Sequence, residues 1–191
     1  MSLLFCFKRP EHFLEHVAAL RGEYCHVHAT VLTKTRQGNY AAYQGTTLNC
    51  YDIPAAQFNT GVYTWVRTDA TAVQVENAIK FLNDQIGAPY NLAAWLSCPL
   101  NAPSMHGPRG SWFCSELCAE VTARFIVTQE RLDAIGARPP SATSPNRFFA
   151  DLMAMGFQKL TTHELEQIAP SIGPWVTASG VGATDDGSEN T

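Results

Sequence analysis

The sequence predicts a single α+β domain in which a small antiparallel sheet packs against helices, and three observations support this fold class. Strand-like patterns crowd the first third of the chain, between residues 24 and 67. Helical patterns dominate from residue 71 onward, and strands followed by helices are typical of α+β domains. The 191 residues are 46% apolar and 16% charged, which suits one packed core and argues against a disordered chain.

The first third of the chain is predicted to form one helix followed by short strands. Pro10 suits the first position of a helix, and Phe13, Val17 and Leu20 would form its apolar face. Beyond it, β-branched and aromatic residues separated by turn residues predict strands. The turn signal at residues 37–39 predicts that the first two strands pair as a hairpin. The predicted strands span residues 24–33, 40–44, 48–53 and 62–67.

Apolar residues at helical spacing predict the later elements. Val75, Ile79 and Leu82 form one face of the first of these helices, and Gly87 is a suitable stop. The predicted helices span residues 71–86, 114–127 and 146–155. From about residue 171 the chain turns to Gly, Ser, Thr and acidic residues, which predicts a disordered or linker tail over 171–191. The globular domain is therefore expected to span residues 1–170.

Charge and hydropathy exclude several classes of partner. The net charge is −4 and no basic stripe occurs, so nucleic acid is not expected to bind. The apolar opening is short and precedes its positive residues, the reverse of a secretory signal. No apolar run approaches the roughly 20 residues of a membrane span. We therefore expect a soluble, cytoplasmic protein without a membrane span.

Trp112-Phe113-Cys114-Ser115-Glu116-Leu117 is the most informative stretch, because it places a cysteine at the start of a helical pattern. Unpaired N–H groups and the helix dipole favour negative charge at a helix N-terminus. A thiolate carries that charge and is the reactive form of cysteine. The sequence therefore predicts Cys114 as an activated nucleophile, whereas the other five cysteines are expected to be small apolar residues.

The first predicted strand could supply the base for this thiol. His26 and His28 lie two residues apart, so they share one face of that strand. A neutral imidazole beside a thiol can take its proton, and a third polar group then orients the ring. Two alternatives remain open. Each histidine could simply complete a hydrogen-bond network, or both could join Cys114 and Cys118 in a tetrahedral zinc site.

The order of three short motifs resembles a known family. A strand containing His26-Val27 is followed by Gly87-Ala88-Pro89-Tyr90 and then by Trp112-Phe113-Cys114-Ser115-Glu116. This order resembles the circularly permuted branch of the NlpC-type papain-like cysteine hydrolases, in which the histidine strand precedes the cysteine helix. YiiX-like bacterial proteins, proteins of several large DNA viruses and the lecithin retinol acyltransferases belong to that branch. The resemblance spans about residues 24–127.

The resemblance implies roles for individual residues. Cys114 matches the nucleophile, His26 matches the base, and Tyr90 matches a tyrosine that borders the cleft. The third polar position is often Glu in YiiX-like members, and here the corresponding residue is Gln44. An amide can still accept a hydrogen bond from the imidazole. His28, Thr46 and Asn49 are rivals for this role, and His28 is also an alternative base. Trp112 and Ser115, which belong to the same motif as Cys114, are expected to contact substrate.

These inferences predict a papain-like thiol hydrolase. Cys114 would attack a carbonyl, the imidazole would shuttle the proton, and the Cys114 N–H would stabilise the oxyanion. We expect no metal or organic cofactor. A peptide or protein substrate with an amide or isopeptide bond is the first expectation. A lipid acyltransferase or thioesterase of the same fold, or a catalytically silent binding module, is the alternative.

Overall fold

The computed structural model describes one sheet flanked by helices, which confirms the α+β class. The described part of the chain contains the candidate histidines and the cysteine helix. The proposed third residue, Gln44, and its rival Thr46 lie outside it, and so does most of the predicted tail. The described residues are 2–19, 22–32, 36–41, 48–51, 61–93, 110–168 and 173–174.

The sheet is built around the N-terminal strand. β1 (Ser2–Lys8) pairs with β2 (His26–Leu32) on one side and with β5 (Tyr63–Arg67) on the other. The described strands run in the order β4-β3-β2-β1-β5-β6, and each neighbouring pair in this order is antiparallel. The other strands are β3 (Arg36–Ala41), β4 (Asn49–Tyr51), β6 (Gln158–Lys159) and β7 (Gly173–Pro174), which pairs in parallel with β3.

Helices cover both faces of the sheet. α1 follows β1, α2 follows β5, and α3 begins at Cys114 and runs directly into a π-helical turn at Thr122–Ile126. A short 3₁₀ turn at Pro140–Ala142 precedes α5. The helices are α1 (Phe13–Ala18), α2 (Ala72–Asp84), α3 (Cys114–Val121), α4 (Gln129–Ala134), α5 (Pro145–Ala154) and α6 (Thr162–Ile168).

The main core lies between the sheet and helices α2, α3 and α5. Side chains of successive strand residues point to opposite faces, and residues paired across antiparallel strands share a face. Phe5, paired with Ala29, packs edge-on against Phe148 of α5 with ring centroids 4.9 Å apart. Leu117 of α3 belongs to the same cluster. We call this side of the sheet the α3 face, and its strand residues are Leu3, Phe5, Phe7, Val27, Ala29, Val31, Thr64 and Val66.

A second, smaller core covers the opposite side of the sheet. Leu4, Cys6 and Trp65 pack there against Leu160 and against Leu165 of α6. We call this side the α6 face. Lys8 extends it toward α1, where its Nζ lies 2.5 Å from a carboxylate oxygen of Glu15. The sheet therefore separates two cores that do not merge.

Several elements confirm the sequence-based expectations, and others differ from them. Three helices match their predicted ranges to about two residues: α2, α3 and α5. The predicted range of α3, the helix that begins at Cys114, also includes the π turn in which it ends. The turn predicted at residues 37–39 is wrong, because those residues pair with β2 as part of β3. β1 was not predicted as a strand, although it is the central one. Within the predicted tail, Gly173 and Pro174 pair with β3.

Candidate active site

The nucleophile candidate lies where the sequence predicts it, at the first residue of α3. Phe113 precedes the helix in an extended conformation, with φ −108° and ψ 166°, so the N–H groups of the first turn begin at Cys114. Phe113 and Cys114 are both buried, and the Cys114 side chain is only 1% exposed. The helix start is therefore packed inside the protein and not displayed on its surface.

A network of hydrogen bonds joins this helix start to the turn after α2. Tyr90 and Trp112 form a parallel β-bridge, in which the Trp112 N–H donates to the Pro89 carbonyl at 2.9 Å. The Asn91 N–H donates to the Trp112 carbonyl at 2.8 Å. The Trp112 indole N–H donates to Gln85 Oε1 at 3.0 Å. The structure thus brings the predicted site residues Tyr90 and Trp112 together beside Cys114.

Glu116 is a site residue that the sequence interpretation missed. Its carboxylate accepts a hydrogen bond from the Phe113 N–H at 3.3 Å and from the Asn91 side-chain amide at 3.4 Å. The available signal was its spacing, since Glu three residues after an N-cap satisfies the cap N–H and favours the helix dipole. Glu116 and Asn91 therefore tie the first turn of α3 to the Tyr90 turn.

His26 and His28 form a close pair on β2. Their ring centroids are 4.5 Å apart and the ring planes meet at 81°. In the β1–β2 register, His28 lies opposite Cys6 and His26 lies opposite Lys8. Because Cys6 and Lys8 belong to the α6 face, both imidazoles point to that face.

The structure does not bring these histidines onto the same face of the sheet as Cys114. The pairing of β1 with β2 is continuous from Ser2↔Leu32 to Lys8↔His26, so side chains alternate along it without a bulge. Val27 and Ala29 therefore face the core that contains Cys114, whereas His26 and His28 lie across the sheet from it. The expected pairing of Cys114 with His26, or with His28, is not formed among the described residues.

The same geometry separates the ligands of the zinc alternative. Cys114 and Cys118 both belong to the core on the α3 face, and the two histidines lie on the α6 face. Within the described ranges, no group of three or more His, Cys, Asp or Glu side chains is arranged to hold a metal ion.

Burial dominates the electrostatics of both faces. Desolvation, with a smaller contribution from the Lys8 ammonium, lowers the pKa of His26 to about 4, and the Glu15 carboxylate opposes this shift. Burial also raises the pKa of the Cys6 and Cys118 thiols well above their ordinary value and raises that of Cys25 to about 11. At neutral pH, His26 is therefore an uncharged imidazole and these three cysteines are thiols.

Ser115, which the sequence analysis expects to contact substrate, is the second residue of α3. Its side chain is completely buried, as is that of the neighbouring Cys114. Its hydroxyl has no hydrogen-bond partner among the described residues. The protein therefore buries a polar hydroxyl group directly beside the candidate nucleophile.

No protein-family model matches this chain, and no curated protein or solved structure matches it. The resemblance to permuted papain-like hydrolases therefore stays a prediction based on the three motifs. In the described part of the chain, every helix is too short or too polar to cross a lipid bilayer.

Proposed function

We propose that this chain is a cysteine hydrolase that cleaves an amide or ester bond, with Cys114 as its nucleophile. The observation that carries the proposal is that Cys114 is the first residue of a helix whose start is hydrogen-bonded to Glu116 and adjoins the Tyr90–Trp112 bridge. A fixed helix start gives a thiolate a favourable dipole and places backbone donors beside the carbon it attacks.

The reaction has two halves. The Cys114 thiolate attacks the carbonyl carbon, the C–N or C–O bond breaks, and a protonated base gives its proton to the leaving group. Water, deprotonated by the same base, then cleaves the thioester and frees the thiol. The N–H of Cys114 would donate to the oxyanion in both steps, a contribution of about 3–4 kcal/mol for one well-placed donor. A peptide or isopeptide bond remains the preferred substrate.

The proposal requires an imidazole on the α3 face, and this requirement can be tested directly. The sequence contains six histidines. His12, His16 and His163 are exposed, whereas His26 and His28 point to the α6 face. The sixth, His106, lies outside the described residues. The base is therefore best identified by substitution of His26, His28 and His106 one at a time.

The experiment compares hydrolysis of a fluorogenic peptide and ester library with labelling of Cys114 by limiting iodoacetamide. Cys114→Ala should abolish hydrolysis, and the histidine that acts as base should lower the rate by about two orders of magnitude when replaced by Ala. Cys118→Ala is the matched control, because this thiol is buried one helical turn further along α3. Hydrolysis that survives Cys114→Ala would overturn the proposal.

A catalytically silent binding module is the second candidate, because the described histidines lie across the sheet from a thiol that is only 1% exposed. This alternative predicts that Cys114 is labelled no faster than Cys118. It also predicts that no histidine substitution changes the labelling rate and that no library member is cleaved.

A further inference from the structure

A cavity of about 330 Å³ lies beside the C-terminal half of α3, away from Cys114. It is bounded by α3 and its π turn, by α4, by the 3₁₀ turn and by α5. Its volume is in the range of small-molecule sites, which run from about 300 to 1,000 Å³. Most of its wall is apolar, and the apolar residues include Ala119, Ala123, Leu132, Phe148 and Met155.

The buried polar side chains of this cavity are all hydrogen-bond acceptors. The Thr122 hydroxyl donates its hydrogen to the Cys118 carbonyl at 2.9 Å, and the Thr143 hydroxyl donates to the Pro139 carbonyl at 2.9 Å. Each hydroxyl oxygen therefore retains lone pairs but no free hydrogen. Thr122 and Thr143 are each 1% exposed, so water outside the protein does not compensate them.

The third buried group is a carboxylate. Asp151 is 6% exposed, and its Oδ1 lies 2.8 Å from Arg147 Nε. Burial raises the pKa of Asp151, while the charges of Arg147 and Arg138 oppose that shift. The second carboxylate oxygen has no partner among the described residues, so it can still accept a hydrogen bond. The donors that line the cavity, Gln129 and Arg138, are exposed.

The π turn gives this wall its shape. The Val127 N–H donates to the Thr122 carbonyl at 3.0 Å, five residues back, where an α-helix would use the residue four back. Single π turns inside helices are rare and often border functional sites. Thr122 and Ala123, the first residues of the turn, both line the cavity.

We propose that this cavity binds a small apolar primary amine, with its ammonium group donating to Asp151 and its hydrocarbon body packed against Phe148. A ligand of this class supplies hydrogen-bond donors to the two threonine oxygens and to the Asp151 oxygen that Arg147 does not engage, and its hydrocarbon body matches the apolar wall. An alcohol of the same shape offers a single donor and no charge. A carboxylate of the same shape would face acceptors at each of the three buried polar positions.

Titration calorimetry with 3-methylbutylamine, 3-methylbutanol and 3-methylbutanoate tests this inference on the full chain. The amine should bind at least about tenfold more tightly than either analogue, as expected for a charge-assisted hydrogen bond. Asp151→Asn should lower the amine affinity about tenfold and leave the alcohol affinity unchanged. Glu130→Gln, at an exposed acid on α4, is the matched control and should change neither.

A second variant keeps the test decisive if Asp151→Asn folds poorly. Ala123→Leu fills the cavity from the π turn and should abolish binding of all three ligands. Equal affinity for the amine and its analogues, no binding of the amine, or amine binding that survives Ala123→Leu would each overturn the proposal. Cys114→Ala should bind the amine like the wild type, so this outcome is independent of whether the chain is a hydrolase.

Discussion

Acidification should destabilise this protein through His26, and the loss can be calculated from its environment. The ring is partly buried on the α6 face beside Lys8, so its pKa falls from an ordinary 6.5 to about 4. Between these values the unfolded chain binds a proton that the folded chain does not. The contribution of His26 to stability is therefore complete above about pH 6.5 and is lost as the pH falls to about 4.

The magnitude is large enough to measure. The complete shift of the His26 pKa corresponds to about 3 kcal/mol of unfolding free energy. Proton linkage predicts that about 2 kcal/mol of it is lost between pH 7 and pH 5. This is an upper figure because the ring keeps some contact with solvent. At pH 5 most carboxylates are still ionised, so acid unfolding driven by the acidic residues adds little. Asp151, whose pKa is raised by burial, contributes with the opposite sign.

Urea unfolding of the wild type and of His26→Gln at pH 7 and pH 5 is the appropriate assay. The wild type should lose about 2 kcal/mol of unfolding free energy, and His26→Gln should lose less than half of that. His163→Gln is the control, because that exposed histidine on α6 should leave the wild-type loss unchanged. Equal losses in the wild type and His26→Gln would refute the assignment of the pH dependence to this ring.

Two further predictions concern contacts that fix the helices. Asn146→Ala should lower the free energy of unfolding by about 1–3 kcal/mol, because the Asn146 side chain exchanges two 2.8 Å hydrogen bonds with the Tyr24 backbone just before β2. Urea unfolding measures this loss, and the same substitution at the exposed Asn83 is the control. Thr71→Ala should cost about 1 kcal/mol, because Thr71 and Gln74 form a reciprocal capping box at the start of α2; Thr71→Ser should retain most of that stability in the same assay.

The helices were the easiest part of the fold to predict, because their apolar faces recur over several turns. α2 shows Val75, Ala78 and Leu82 buried at that spacing, followed by Gly87 with φ 89°. β1 was missed for the opposite reason. Its residues Leu3–Phe7 are apolar without alternation, since helices cover both faces of the sheet. Such a short run has no period by which to recognise a strand.

The candidate site was predicted in part. Contacts between residues that are close in sequence can be predicted from local patterns, whereas contacts between distant segments cannot. The position of Cys114 at a helix start follows from neighbouring residues. The hydrogen bond from the Phe113 N–H to Glu116 is equally local, although the sequence interpretation missed it. The Tyr90–Trp112 bridge joins distant segments, and no local pattern in the sequence predicts that these two residues pair. The face on which His26 points depends on how β2 aligns with β1. That register was invisible in the sequence, because β1 itself was not recognised.

The register of β2 decides which chemistry this sheet can support. A shift of one residue would carry His26 and His28 to the α3 face and would turn the opposite set of side chains outward from the main core. That set is Val27, Ala29 and Val31, all completely buried. Moving the two valines out of the main core would place polar side chains against Phe5, Phe7 and Leu117, and burying polar groups without partners is strongly destabilising. Because hydrophobic burial sets this register, an imidazole for Cys114 must either come from another segment or be absent, and the histidine substitutions distinguish these two outcomes.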